Sequence, residues 1–279
     1  MEYKASWLSS TNLQYVSAPP PAVYFPSYNA AMPTPDPWLP EPTNNRLTAS
    51  GVHIWRVWLD QDQDTCNAMR ALLSADEIVR ADRFIFDHLR ARYTIGRGVL
   101  RLLAGRFLGL AAAAVKFTYG DHGKPCLPDS PLKFNVSNSH QLALIAFGLG
   151  REIGVDIEWM KPLPEGERIA RRFFSTPEVD DFLRVPDPLR ESTFYACWTR
   201  KEAYIKAIGD GLAYPLDQFR VSLTPGEPAR LLEVRPNPSE VARWGMAALH
   251  PGENYRAAVI AEGQDWLPAL WDYRFDAVI

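Results

Sequence analysis

Cysteine is scarce in this 279-residue chain: Cys66, Cys126 and Cys197 stand far apart and form no Cys-x-x-Cys pair. Such spacing argues against a disulfide framework and a structural zinc site. The five histidines form no His-x-x-x-His or His-Glu-x-x-His pattern, so a two-histidine metal site is not expected either. No glycine fingerprint of a dinucleotide fold and no phosphate-binding P-loop is present. Excess charge is lacking too. The net charge of −3 provides no global field toward nucleic acid or an anionic membrane. No apolar run is long enough to span a bilayer, and no charged-then-apolar leader opens the chain. The expectation is a soluble, cytoplasmic, thiol-containing protein. At 47% hydrophobic and 12% aromatic, it can bury a sizeable core.

Regular structure is disfavoured over residues 1–50. Pro19-Pro20-Pro21 is followed by Pro26, Pro33, Pro35, Pro37, Pro40 and Pro42. Proline removes donors and fixes φ, which predicts an extended, poorly ordered tail. The body opens with Val52–Leu59, a strand by its Val, Ile and Trp content. Ser74-Ala75-Asp76-Glu77 has the capping-box pattern for a helix. A longer helix follows from about His88 to Leu108. Acidic residues are absent from His88 to Phe117, while Arg90, Arg92, Arg97, Arg101, Arg106 and Lys116 fall there. That segment is either a solvated basic face or a phosphate-binding surface.

Strands are expected at 115–119, 132–136 and 142–147, with Lys124 presented by the turn Gly120–Pro125. The second half repeats the plan at an offset of roughly a hundred residues, with a helix at about 192–208 and strands near 217–223, 229–235, 244–249 and 254–261. The reading is an α+β fold of two pseudo-symmetric subdomains, 51–150 and 151–279. Each is a helix packed on a small antiparallel sheet, with the active site at their interface.

Two segments carry candidate chemistry. In Gly154-Val155-Asp156-Ile157-Glu158, strand alternation sends Val155 and Ile157 one way and Asp156 and Glu158 the other, roughly 7 Å apart. In the helix Cys197–Ala207, Trp198, Glu202 and Lys206 recur every four residues and share a face. Taken alone, each is an ordinary solvated acidic or Glu–Lys face. Together, Asp156, Glu158 and Glu202 form an all-oxygen set suited to one magnesium ion, with Lys206 nearby for phosphate charge.

These two segments resemble the paired signatures of the 4′-phosphopantetheinyl transferases, in the monomeric Sfp/HetI-like branch. The resemblance covers about residues 51–262. It includes Gly123-Lys124-Pro125, Phe134-Asn135-Val136-Ser137, Phe173–Glu178 and Gly209-Asp210-Gly211-Leu212, and the tail 1–50 has no counterpart in it. It implies magnesium-dependent transfer of phosphopantetheine from coenzyme A to a serine of an apo carrier protein, releasing adenosine 3′,5′-bisphosphate. It also implies magnesium ligation by Asp156, Glu158 and Glu202, with Glu202 as base, and Lys206 on the phosphate under attack. Arg80 and Arg92 would hold the 3′-phosphate, with Arg83 less firmly matched. Lys124 would lie near the adenosine end, with Ser137 and Lys201 also among the coenzyme-binding positions. Glu178 matches an acidic position near the metal in some members. Subdomain 51–150 would then bind coenzyme phosphates, and 151–279 would carry the magnesium and catalytic motifs.

The sequence departs from the family's Asn-Val-Ser-His-Ser at Asn138, with His140 two residues on, where extended chain would face both the same way. Segment 161–184, with Arg168, Arg171, Arg172, Phe173 and Phe174, is the expected carrier-protein surface. Two other readings compete: a transferase-like protein that binds coenzyme A or a carrier without turnover, and an unrelated magnesium phosphohydrolase.

Overall fold

The computed structural model describes residues 37–41, 46–120, 123–209 and 214–275. The expected tail up to residue 36, Asp121-His122 of the glycine turn, and Asp210–Leu212 of the last motif lie outside them. The first half holds strands β1 (Leu39–Pro40) and β2 (Gly51–Trp58), helices α1 (Gln63–Arg70), α2 (Ala75–Asp82) and α3 (Asp87–Leu108), and strands β3 (Thr118–Tyr119), β4 (Pro125–Cys126), β5 (Leu132–Ser139) and β6 (Leu142–Leu149). The second half has β7 (Ile153–Trp159), α4 (Gly166–Phe173), α5 (Thr176–Arg184), α6 (Asp187–Ile208), β8 (Phe219–Val221) and β9 (Leu231–Val234). It closes with α7 (Glu240–Arg243), β10 (Trp244–Leu249), β11 (Tyr255–Glu262) and β12 (Leu267–Asp272).

Two sheets and two long helices make the body. A five-stranded sheet runs β1-β12-β2-β6-β5, and a three-stranded antiparallel sheet runs β10-β11-β7. Residues of α3 pack on one face of the larger sheet around Trp55, Leu103 and Phe147. The other face buries Ile54, Leu144 and Ala146 against Val155, Ile157 and Val259 of the smaller sheet. Helix α6 covers the remaining face of the smaller sheet, with Ala203 and Ala207 against Ala258 and Ile260. The expected α+β pair is therefore present as four layers: helix, sheet, sheet, helix. The two helices are each 22 residues long and start at 87 and 187. Each ends at a left-handed glycine, Gly109 (φ 68°) or Gly209 (φ 85°).

Three features differ from the sequence reading. The larger sheet is mixed, because β12 lies parallel to β2 and β1 parallel to β12. The last strand thus crosses from the second half back to the first sheet. Pro268 hides β12 in the sequence. It is tolerated because β1 pairs only with Trp271 and Asp272, leaving Pro268 at an edge.

The tail reading also ends before residue 50. The Trp38 indole donates to the His250 carbonyl at 3.2 Å. Glu41 Oε2 accepts from Trp55 Nε1 at 3.2 Å and from Arg106 at 2.6 Å. Finally, the basic segment is mostly internal structure. Ser74 and Glu77 make the expected capping box, and Glu77 also pairs with Arg97 and with Arg101, which is 2% exposed. Arg101 further donates to the carbonyls of Ala112 and Val115. Arg90 pairs with Asp87, and Arg106 with Glu41.

Candidate active site

The site is built where β5 of the first sheet meets β7 of the second. These strands share no backbone ladder; side chains of β5 replace it. Val155 N donates to Asn135 Oδ1 (3.0 Å), Ile157 N to Ser137 Oγ (3.3 Å) and Trp159 N to Ser139 Oγ (3.0 Å). Each serine hydroxyl then donates to a carboxylate of β7: Ser137 to Asp156 Oδ1 (2.9 Å) and Ser139 to Glu158 Oε2 (2.9 Å). The period-two polar series Asn135, Ser137, Ser139 thus ties the sheets together and orients both acidic side chains. Sequence reasoning singled out Ser137 but missed Asn135 and Ser139 as part of one ladder; the alternation was the available signal.

Helix α6 runs antiparallel to β7. Gly154 lies against Ala203 and Ala207, and the Tyr195 hydroxyl donates to the Lys161 carbonyl at 3.1 Å. Between these anchors, Lys206 Nζ reaches Asp156 Oδ1 at 2.6 Å, Ser137 Oγ at 3.0 Å and the Val155 carbonyl at 3.3 Å. Asp156 is 0% exposed and Lys206 20% at its side chain. One turn before Lys206, Glu202 is 7% exposed, and the antiparallel pass brings it level with the Asp156–Glu158 stretch. Arg256, missed in the sequence, stands opposite Glu158 across the β11–β7 pair, on the same face. Burial pushes its guanidinium below the ordinary arginine range.

The expected three-carboxylate magnesium site is not gathered: among the described residues no group of three His, Cys, Asp or Glu side chains could hold a metal. The hydroxyls of Ser137 and Ser139 hold Asp156 and Glu158 toward β5, and the Lys206 ammonium lies 2.6 Å from Asp156. The donor chemistry nevertheless fits a hard cation. The candidates are all carboxylate oxygens, and Asp156 already binds positive charge.

Other expected residues lie elsewhere. Lys201 is fully buried on another face of α6. Its ammonium holds Glu178 Oε2 (2.7 Å) and the carbonyls of Leu216 (2.8 Å) and Phe219 (2.7 Å). Glu178 is taken up by that pair, by the Ser175 capping box and by Val221 N, so it does not join Asp156. Lys124 donates to the Ala207 carbonyl (2.9 Å) at the end of α6 and to Glu152 (3.2 Å). Burial lowers its pKa, and the Glu152 carboxylate opposes that shift. Arg92 grips Asp60 with two bonds (2.6 and 2.9 Å), holding that carboxyl below its usual range. Arg80 lies over the Tyr93 ring at 5.8 Å, and Arg83 is exposed.

Asn138 is exposed on β5, but His140 does not follow it along extended chain. With φ 52°, His140 turns into the β5–β6 connection and stacks on Trp159 at 4.5 Å. In segment 161–184, Arg168 and Arg171 pair with Glu165 and Glu167, and Phe174 is buried against Phe194. Arg172 lies over the Phe173 ring.

Two 22-residue helices flanking two sheets, with an acidic strand facing a Glu–Lys helix turn at their junction, define a two-halved α+β protein with a charged inter-sheet site. Residues 152–260 match the 4′-phosphopantetheinyl transferase superfamily. The chain is 42% identical over 240 residues to the 4′-phosphopantetheinyl transferase HetI of Nostoc sp., covering 85% of this chain and 98% of that protein. It is 33% identical over 175 residues to Sfp of Bacillus subtilis, covering 62% and 77%. The human L-aminoadipate-semialdehyde dehydrogenase-phosphopantetheinyl transferase is 28% identical over 183 residues, covering 61% and 58%. The chain belongs to the 4′-phosphopantetheinyl transferase family, in its Sfp/HetI type.

Proposed function

We propose that this protein transfers the 4′-phosphopantetheine of coenzyme A to a serine of an apo carrier protein. The observation that carries this reading is the Lys206–Asp156–Ser137 cluster, which joins both halves of the fold within a chain of this family. Magnesium would be held by Asp156, Glu158 and Glu202, and when bound it neutralises charge on the pyrophosphate. Glu202 takes the proton of the attacking carrier serine. The serine oxygen bonds to the β-phosphorus of coenzyme A, and the bridging P–O bond breaks, releasing adenosine 3′,5′-bisphosphate. Lys206, a compact cation on the same helix face one turn away, neutralises the phosphate being attacked. Asp156 and Ser137 hold Lys206 in place before the substrate arrives.

On this reading 51–150 contributes coenzyme contacts and 151–279 the catalytic motifs. Asn138 on β5 and His140 in the β5–β6 connection, stacked on Trp159, are the proposed coenzyme-phosphate contacts at this end of the strand. The enzyme acts as a cytoplasmic monomer on acyl, peptidyl or polyketide carriers. Segment 161–184 is the proposed carrier-facing surface: Arg168 and Arg171 pair with Glu165 and Glu167, and Arg172 lies over the Phe173 ring.

The test is incubation with coenzyme A, magnesium and an apo carrier protein, read by mass spectrometry. The expected result is a carrier heavier by one phosphopantetheine, together with released adenosine 3′,5′-bisphosphate. Coenzyme A binding without carrier modification, or coenzyme A hydrolysis independent of carrier, would overturn the proposal.

A further inference from the structure

Lys201 and Glu178 form a fully buried ion pair, and neither takes part in the cluster at Asp156. Both side chains are 0% exposed, with Nζ to Oε2 at 2.7 Å. Isolated charges at such depth are costly, and they persist only with full hydrogen bonding. That condition is met. The ammonium has three acceptors: Glu178, the Leu216 carbonyl and the Phe219 carbonyl. Glu178 also accepts from Ser175 N (2.8 Å), Ser175 Oγ (2.8 Å) and Val221 N (2.7 Å). One side chain of α6 is thereby tied to the start of α5, to the turn before β8, and to β8 itself.

Helix geometry gives this pair a consequence for the site. Residues advance by about 100° around a helix, so Lys201 and Lys206 project about 140° apart. Lys206 is held on one side by Asp156 and Ser137 of the two sheets, and Lys201 on another by Glu178, Leu216 and Phe219. A helix tied on two such separated faces cannot roll without breaking one set of bonds. Glu202 follows Lys201 directly and lies about 40° from Lys206, so its direction is fixed by the same two ties.

We infer that Lys201 and Glu178 are positioning residues. They set the roll of α6 and so aim Glu202 and Lys206 at β7, acting through the helix rather than on substrate. The kinetic arm of this inference rests on the transferase reading above; its chemical-labelling arm does not.

The experiment compares the parent with Lys201→Arg and with the double variant Lys201→Met, Glu178→Met. Removing both charges avoids an uncompensated buried charge, but it strips partners from Ser175 N, Val221 N and the Leu216 and Phe219 carbonyls. The double variant is therefore expected to melt below the parent and is assayed at a temperature where both are folded. If the pair positions the helix, its kcat falls by about tenfold or more while KM for coenzyme A and for carrier stays near parental. Trace acetylation of Lys206 by acetic anhydride, quantified by mass spectrometry, should also rise several-fold as its contact with Asp156 loosens. A double variant that turns over and labels at Lys206 like the parent would overturn the inference. If the double variant does not fold, Lys201→Arg decides. It keeps the charge but replaces a compact ammonium with a wider fork, so the same kcat loss and labelling gain support the inference, and parental values refute it. If the parent itself transfers nothing, the transferase reading falls, while Lys206 labelling still decides this one.

Discussion

Gly154→Ala tests the tightest glycine packing among the described residues. Gly154 lies on β7 facing α6, and a Cβ built there would sit 2.0 Å from the Ala203 carbonyl oxygen and 2.6 Å from Ala207 N. Ordinary contact begins at 3.4 Å, so strand and helix must part by about 1.4 Å (3.4 minus 2.0). Both obstacles are backbone atoms, so no rotamer change relieves them. Overpacking of this kind costs about 1–3 kcal/mol. At about 2–4 °C per kcal/mol, Tm should drop by about 2–12 °C. The functional loss should be larger. Lys206 reaches Asp156 at 2.6 Å, and a retreat of that size would carry it to the limit of an ion pair. A misplacement of about 1 Å costs about 100-fold in rate, so kcat/KM for transfer should fall by about that factor or more while circular dichroism still reports a folded chain. Gly96→Ala is the control: its Cβ would meet Leu59 at 3.4 Å, and in a helix interior it should be neutral or gain about 0.5–1 kcal/mol. A Gly154→Ala protein with parental Tm and rate would refute the account of how strand and helix are apposed.

Lys206→Met should reduce transfer by orders of magnitude and cost about 3–5 kcal/mol in urea denaturation, because it strips the cation from buried Asp156; a loss of rate with unchanged stability would show that the pair is not formed in the resting protein. A chain starting at Ser50 should melt lower than one starting at Pro37, since it leaves Trp55 Nε1 without Glu41, at about 1–3 kcal/mol for a buried donor; equal melting would put 37–49 outside the fold. Glu77→Gln tests pH linkage. Burial raises the Glu77 pKa, but Arg101 and Arg97 outweigh it and hold the carboxyl below its ordinary 4.5. A depressed carboxylate contributes stability that is full above the unfolded value and is lost as pH falls through the folded one. The variant should therefore be less stable than the parent at pH 7, and the gap should narrow as pH falls below 4.5. A gap that is constant with pH would refute the assignment.

Some of this architecture could be read directly from the residues. The alternation in Gly154–Glu158 correctly separated Val155 and Ile157, which enter the inter-sheet core, from Asp156 and Glu158. The Ser74–Glu77 capping box formed as its pattern required. The hundred-residue offset returned as two helices of equal length, each stopped by a glycine. Backbone geometry within a few residues decides such features, and neighbouring side chains report on it.

Partner choice was a different matter. The acid-free run after Asp87 read equally well as a phosphate surface, yet Arg97 and Arg101 turn inward to Glu77, 20 and 24 residues away, and Arg106 reaches Glu41 across 65. Lys201 and Lys206 are alike in composition and near in sequence; only the packing of α5 and β8 on one face of α6, and of β7 on another, makes one a partner of Glu178 and the other a partner of Asp156. His140 looked like a continuation of β5 until its left-handed φ carried it onto Trp159. Local periodicity fixes which way a side chain points along its own element. What it meets there depends on distances between elements remote in the chain, and close packing sets those distances.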